Sequence, residues 1–406
     1  MRQRPPGFRD VFAVGEFRAL LAAQSLSTAG DQVARLALAI LVYADTGSPV
    51  FTAVSVALTY VPELLGGPLL SGLADRYPRR EVMVACDLVR AVLIAAAAIP
   101  GLPLPMLWLL VFLVQTATAP ARAARSANMS VMLSGDRYTV GLAVMSSAAQ
   151  IAYFGGFALG GVVVSAAGPH VALLVDAGTF AVSALLFRFG LRPRRTSRHD
   201  ATMLGSVRAG VRLVWRDRKL RALVALAWIY GLYVAPVGLA VPYADQIGAG
   251  AVAVGLFLAA ESVGSVAGGL LLTRLLSAEV RSRLLGPLTV LTGVPLVAMV
   301  FAPPVWLSLV LLVLSGVFVA YQVVANAMFV MSIAVEYRGQ AVGIAASGLF
   351  AAQGLGILGS GLLAEAVGPA ASIAAFAAIG VLAAVPVGVA WRRATRHTYE
   401  YAGKEG

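Results

Sequence analysis

The sequence predicts an all-α integral membrane protein, with about twelve transmembrane helices in two pseudo-symmetric six-helix bundles. Three observations carry this. First, 59% of the 406 residues are hydrophobic, only 12% are charged, and the mean hydropathy is +0.85. Soluble globular chains carry about 25% charged residues, so the chain is too poor in charge for water alone. Second, apolar runs of bilayer length recur along the whole chain. Third, the sequence repeats. Val54, Glu63, Gly66, Leu73 and Arg76 return as Val252, Glu261, Gly264, Leu271 and Arg274 at a constant offset of 198 residues. Gly156, Gly161, Gly168 and Pro169 return as Gly356, Gly361, Gly368 and Pro369 at an offset of 200. Internal repeats on this scale mark many membrane transporters, whose substrate site lies between the repeats.

In order, the first six spans are read at Phe17–Tyr43, Phe51–Leu73, Val82–Ile99, Leu104–Ala124, Val140–Ala166 and His170–Phe189. The second six are Leu220–Val241, Ala251–Leu272, Leu284–Phe301, Val305–Val330, Val342–Ala364 and Ala370–Ala390. Lipid cannot satisfy backbone polar groups, and the runs are too long for barrel strands, so each is a helix. The first run is too long for a signal peptide, and Asp31 and Arg35 interrupt it. This gives an N-terminal bundle at residues 1–188, a linker at 189–219, a C-terminal bundle at 220–391 and a tail at 392–406. In the linker, Val207–Leu220 reads as one amphipathic helix with Arg208, Arg212, Arg216 and Lys219 on its polar side.

The net charge of +12 does not indicate nucleic acid, because of where it sits. Basic residues gather in alternate turns, at Arg76–Arg80, Arg122–Arg137, Arg188–Arg221, Arg274–Arg283, Arg338 and Arg392–Lys404. The intervening turns hold none, which is the positive-inside pattern and sets both termini in the cytoplasm of a cell-membrane protein. Prolines stiffen the outer turns, as in Pro100–Pro105 and Pro303-Pro304. The single cysteine, Cys86, can form no internal disulfide.

Acids inside spans are costly and mark function. Asp31 lies 13 residues from Arg18 and 14 from Asp45, Glu63 lies 12 from Phe51 and 12 from Asp75, and Glu261 lies 11 from Gly250 and 13 from Arg274, all close to the midplane at about 1.5 Å per residue. Each would cost about 2.5–3.5 kcal/mol if unpaired. They are candidate proton or substrate sites, with Asp176 as a lesser one. Asp31 and Arg35, spaced i,i+4, have an equal structural reading as a local ion pair. Asp87 and Arg90, at i,i+3, read as a structural or gating pair. Glu63 and Glu261 have no evident local partner. Gln115, Gln150, Tyr153, Tyr230, Tyr233, Gln322, Asn326 and Gln353 are candidates to line a cavity for bulky, mostly apolar ligands. About half are expected to be interhelical contacts instead.

The loop Ser71-Gly72-Leu73-Ala74-Asp75-Arg76-Tyr77-Pro78-Arg79-Arg80 resembles the signature of the major facilitator superfamily, Gly-x-Leu-Ala-Asp-Arg-x-Gly-Arg-Arg. Ser71 and Pro78 depart from it. The resemblance implies that Asp75 faces the N-terminal end of the helix opening near Gly339–Val342, with Arg76, Arg79 and Arg80 completing a cytoplasmic gate. In the second half Thr273 stands for Asp75, so the gate is asymmetric. Ala152-x-x-x-Gly156-Phe157-x-x-Gly160-Gly161 resembles the superfamily's exporter signature, though without its proline. Independently, Gly156, Gly160, Gly161, Gly356 and Gly361 are small residues that allow close helix packing. Asp31, Pro62–Pro68 and Asp87–Arg90 together resemble the branch of drug, macrolide and siderophore exporters.

The resemblance implies proton antiport of a hydrophobic small molecule by rocking of the two halves, in a protein acting as a monomer. Its partners are the substrate, protons and the bilayer. The alternatives are uptake by the same fold and a non-transporting membrane sensor or scaffold. No phosphate-binding Gly-x-x-x-x-Gly-Lys motif exists, so ATP does not drive it. His170, His199 and His397 lie far apart, which leaves no metal site, cofactor motif or catalytic constellation.

Overall fold

The computed structural model describes residues 8–60, 77–193, 211–334 and 337–402. Glu63, Asp75 and Arg76, most of the second span, and residues 207–210 of the expected amphipathic helix lie outside the described residues. The described chain is helical throughout. Its contacts divide it into two units, one of Met1–Val42 and Val61–Asp200, the other of Tyr43–Tyr60 and Ala201–Gly406.

The first unit holds α1 (Phe8–Phe12), most of α2 (Gly15–Thr46), α4 (Arg79–Ala97), α5 (Leu104–Met132) and α6 (Asp136–Gly190). α4 packs along both α5 and α6. A core of Phe17, Leu20, Met83, Met129, Leu133 and Phe187 closes the end that carries the basic loops. α6 crosses α2 where Gly156 and Gly160 remove side-chain bulk: a Cβ on Gly156 would stand 2.5 Å from the Ala29 carbonyl oxygen. The 55 residues of α6 are two helices that meet at Gly168, whose φ of 82° and ψ of 168° are open essentially to glycine alone. Pro169, with its φ pre-set and no N–H to satisfy, starts the next helix. Its repeat, Gly368, has φ 85° and ψ 159° before Pro369. The echo in sequence is therefore a backbone requirement met twice.

The second unit holds α3 (Pro49–Ala57), α7 (Arg218–Tyr233), α8 (Ala235–Gln246), α9 (Ala251–Leu275), α10 (Ala278–Val297), α11 (Val305–Val319), α12 (Tyr321–Met331), α13 (Arg338–Val367) and α14 (Pro369–Ala402). α9 lies against α11 with Gly264 and Gly268 on Val313 and Val317, and with Gly316 on the Glu261 backbone. Gly356 of α13 meets the Gly231 carbonyl of α7, and Gly361 meets Ala53 of α3. α10 meets α14 through Gly286 and Gly388, and Trp391 donates to the Ser282 carbonyl at 2.8 Å.

Among the described residues, eight helical stretches are long and apolar enough to cross a membrane. The break at Gly168 divides one of them in two. α2 and α4 are long as well, but carry Asp31, Arg35, Asp87 and Arg90. The seventh span is present at Arg218–Gln246 and bends after Tyr233, where Pro236 lacks an N–H for the preceding turn. The tenth is present at Val305–Met331 and bends at Ala320 (φ −55°, ψ −13°), between α11 and α12. One expectation needs correction: the linker helix does not run unbroken to Leu220. A helical segment at 211–216 stops at Asp217, whose carboxylate accepts from the Lys219 and Leu220 amides and caps α7.

Candidate functional site

In the first unit, Arg90 of α4 is the centre of a buried polar cluster. Its Nη2 donates to both carboxylate oxygens of Asp31 on α2, at 2.9 and 3.0 Å. Its Nη1 reaches Asp87, one turn earlier on the same helix, at 3.4 Å. Its guanidinium carbon stands 3.8 Å above the Phe180 ring of α6. Ser183, also on α6, donates to Asp87 at 2.6 Å. Asp87 is 2% exposed and Arg90 4%. Asp176, 1% exposed, accepts from the Thr179 hydroxyl at 3.1 Å through Oδ1, while its Oδ2 has no hydrogen-bond partner. Gly30 makes room for Asp176 and Thr179 beside Asp31. Arg125 of α5 acts electrostatically on Asp31 and Asp87. Three carboxyls thus share the field of two arginines, with Asp87, Arg90 and Asp176 buried and Asp31 partly exposed.

This corrects the pairing expected for Asp31. Its partner is Arg90, 59 residues away, rather than Arg35. The i,i+3 contact of Asp87 and Arg90 is present, as one arm of the larger cluster.

In the second unit, Glu261 of α9 accepts from the Tyr230 hydroxyl of α7 at 2.6 Å. Glu261, for which no local partner was evident, is met by a phenol from another helix. Next to this pair, Tyr321 donates to the Leu226 carbonyl at 3.0 Å, and Gln322 to the Ala227 carbonyl at 3.0 Å. Both donors follow the break at Ala320, so the start of α12 is held on α7 by side-chain-to-backbone bonds. Tyr233 is not a lining residue. It is 1% exposed, and Gly293 and Gly380 pack against its ring.

Of the other expected lining residues, Gln322 and Asn326 border a cavity in the second unit. Gln353 is buried, Gln115 half-buried and Gln150 exposed. Tyr153 packs edge-on to Phe157 at 5.1 Å. At the start of α4, Arg79 donates to the Ala127 carbonyl at 2.8 Å, and Arg80 pairs with Glu81 at 2.6 Å and reaches the Leu191 carbonyl at 3.4 Å. These two arginines tie α4 to the ends of its neighbours within the first unit.

Sequence reasoning missed Thr179, Phe180 and Ser183, which complete the Arg90 cluster; polar residues within an apolar run, one or two turns from Asp176, were the available signal. It also missed a set of ties at helix ends within the second unit. Tyr43 donates to Asp245 at 2.9 Å. Ser48 caps α3 and donates to Glu365 at 3.1 Å, and the Val50 amide donates to the same carboxylate oxygen at 3.4 Å. Glu365 therefore sits at the positive end of α3. Among the described residues, no cluster of His, Cys, Asp and Glu is placed to hold a metal ion.

The family model described as Major Facilitator Superfamily matches residues 20–278 and 229–405. Among curated proteins, the chain is 28% identical to the multidrug efflux pump Tap of Mycobacterium tuberculosis (strain ATCC 25618 / H37Rv), over 88% of this chain and 89% of that protein. It is 22% identical to macrolide efflux protein A of Streptococcus pyogenes, over 87% of this chain and 90% of that one. Among solved structures, a bacterial homolog to the human lysosomal transporter Spinster superposes with a TM-score of 0.74 at 12% identity, covering 96% and 98% of the two chains. The nucleoside transporter NupG superposes with a TM-score of 0.68 at 13% identity, over 94% and 100%. At such identities the superpositions bear on the fold alone.

Proposed function

The chain belongs to the Major Facilitator Superfamily, and from that premise we propose that it exports hydrophobic small molecules, in the manner of drug efflux pumps, by exchange for protons. Membership makes it a multi-pass membrane transporter rather than an enzyme. The names of its curated relatives, a multidrug and a macrolide efflux protein, support export. Proton coupling rests on one observation. Carboxyls stand inside the spans, each in reach of a partner whose bond a proton would replace: Asp31 on Arg90 and Glu261 on Tyr230.

In this reading a proton on Asp31 weakens its hold on Arg90, and the released guanidinium is left to Asp87 and Asp176. A proton on Glu261 turns an acceptor of the Tyr230 bond into a donor. Glu63 is a third proton candidate, and Asp75 and Arg79 govern the cytoplasmic gate. Two six-helix halves, residues 1–188 and 220–391, rock about the substrate, with both termini cytoplasmic. The protein acts as a monomer.

The test uses purified protein in liposomes with an imposed pH gradient and a macrolide or a lipophilic dye as cargo. The wild type is expected to move cargo against the proton flow. Glu261→Gln is expected to remove gradient-driven transport while membrane insertion stays normal. Transport with the proton flow would replace export by uptake. No transport under any gradient would leave the sensor or scaffold reading.

A further inference from the structure

The second unit contains a cavity of about 360 Å³, within the range of small-molecule sites. α7, α12 and α13 form its walls, with Leu223, Ala227, Gln322, Asn326, Phe329 and Ala346 among the lining residues. Among the described residues, none that line it is ionisable. A charged ligand would leave water there and find no counter-charge among them, which is costly. Of the described lining residues, only Gln322 and Asn326 have polar side chains. The Gln322 Nε2 is committed to the Ala227 carbonyl and the Tyr321 hydroxyl, at 3.0 and 3.3 Å, so its carbonyl oxygen is what it has left to offer. Asn326 is exposed and brings a donor and an acceptor. The wall is braced from behind. Trp228 donates to the carbonyl of Ala345, a lining residue, at 3.1 Å, and its indole fills the space that Gly348 leaves open.

We infer that this cavity binds uncharged, largely apolar small molecules bearing a hydrogen-bonding group, and that Asn326 sets the preference for neutral over cationic ligands. Its role in transport rests on the exporter reading; binding itself does not. Ala227 on the cavity wall is three residues from Tyr230, the partner of Glu261, or about 4.5 Å along the helix axis. Neither Tyr230 nor Glu261 is among the described residues that line the cavity.

The experiment is photolabelling of the full chain in lipid nanodiscs. The probes are an uncharged aryl diazirine alcohol and its trimethylammonium analogue, with adducts mapped by mass spectrometry. The neutral probe is expected to mark α7, α12 and α13 at the cavity wall. Ala346→Trp is expected to cut that labelling by about tenfold. Asn326→Asp, equal in volume, is expected to reverse the preference, with the cationic probe now favoured. Labelling spread along lipid-facing positions, or an unreversed preference in Asn326→Asp, overturns the proposal. Where the two variants disagree, Asn326→Asp decides, since it alone leaves the packing untouched. Proteoliposome transport by the same preparation separates the two readings: labelled but inert protein overturns export alone, and active protein without cavity labelling overturns the cavity alone.

Discussion

The two units solve one problem, polar groups inside a membrane, by different chemistry. The first buries charge against charge: Asp31, Asp87 and Arg90, with Asp176 alongside. The second holds one acid on a phenol and otherwise joins hydroxyls and amides to backbone carbonyls. A buried ion pair is brittle, because removing one member strands the other. A carboxyl on a phenol tolerates neutralisation, since its amide isostere keeps the hydrogen bond. The repeat therefore conserves a scaffold and leaves the polar interior free to diverge. The first unit thus carries its interior charge as ion pairs, and the second carries its interior polarity mainly as neutral hydrogen bonds.

That contrast predicts unequal damage. Arg90→Met should be the most destructive, losing about 3–5 kcal/mol by stranding Asp31 and Asp87. Thermal unfolding in detergent would read it, and Asp31→Asn added to Arg90→Met should restore part of the loss. If Glu261→Gln proves equally destabilising, the contrast between the units is wrong. Next in size is Gly356→Val, which has no room against the Gly231 carbonyl and should cost about 1–3 kcal/mol by overpacking. Gly156→Val is its counterpart against Ala29, and similar losses for both would show that the packing, unlike the polar interior, is symmetric. Tyr230→Phe takes away the donor to Glu261 and should lower stability by about 1–3 kcal/mol with little change in expression. The smallest effect is expected from Asp217→Ala, about 1 kcal/mol from a lost helix cap, visible as fraying of α7 in hydrogen exchange.

Much of the scaffold was legible in the sequence because its causes are local. Gly168-Pro169 and Gly368-Pro369 encode a backbone corner that only glycine enters easily. The close crossings at Gly156 and Gly356 follow from small residues in apolar runs. The partners of the charged groups were not legible in the same way. Helical spacing offered Arg35 to Asp31, but the rotation of α2 against α4 gave it Arg90, and rotation is set by packing rather than by spacing. Glu261 looked solitary because Tyr230 comes from another helix. Pro236 signalled one helix break, whereas nothing local marks Ala320; Tyr321 and Gln322 hold that bend by bonds to distant carbonyls.

The grouping of Tyr43–Tyr60 with the second unit has a topological consequence. The polypeptide passes from one unit to the other three times: after Val42, before Val61 and again ahead of Ala201. A protease cut in the basic linker severs only the last of these passages. The nicked protein is expected to migrate as a single species until denatured, because the hairpin segment stitched to Asp245 and Glu365 still threads the two fragments together.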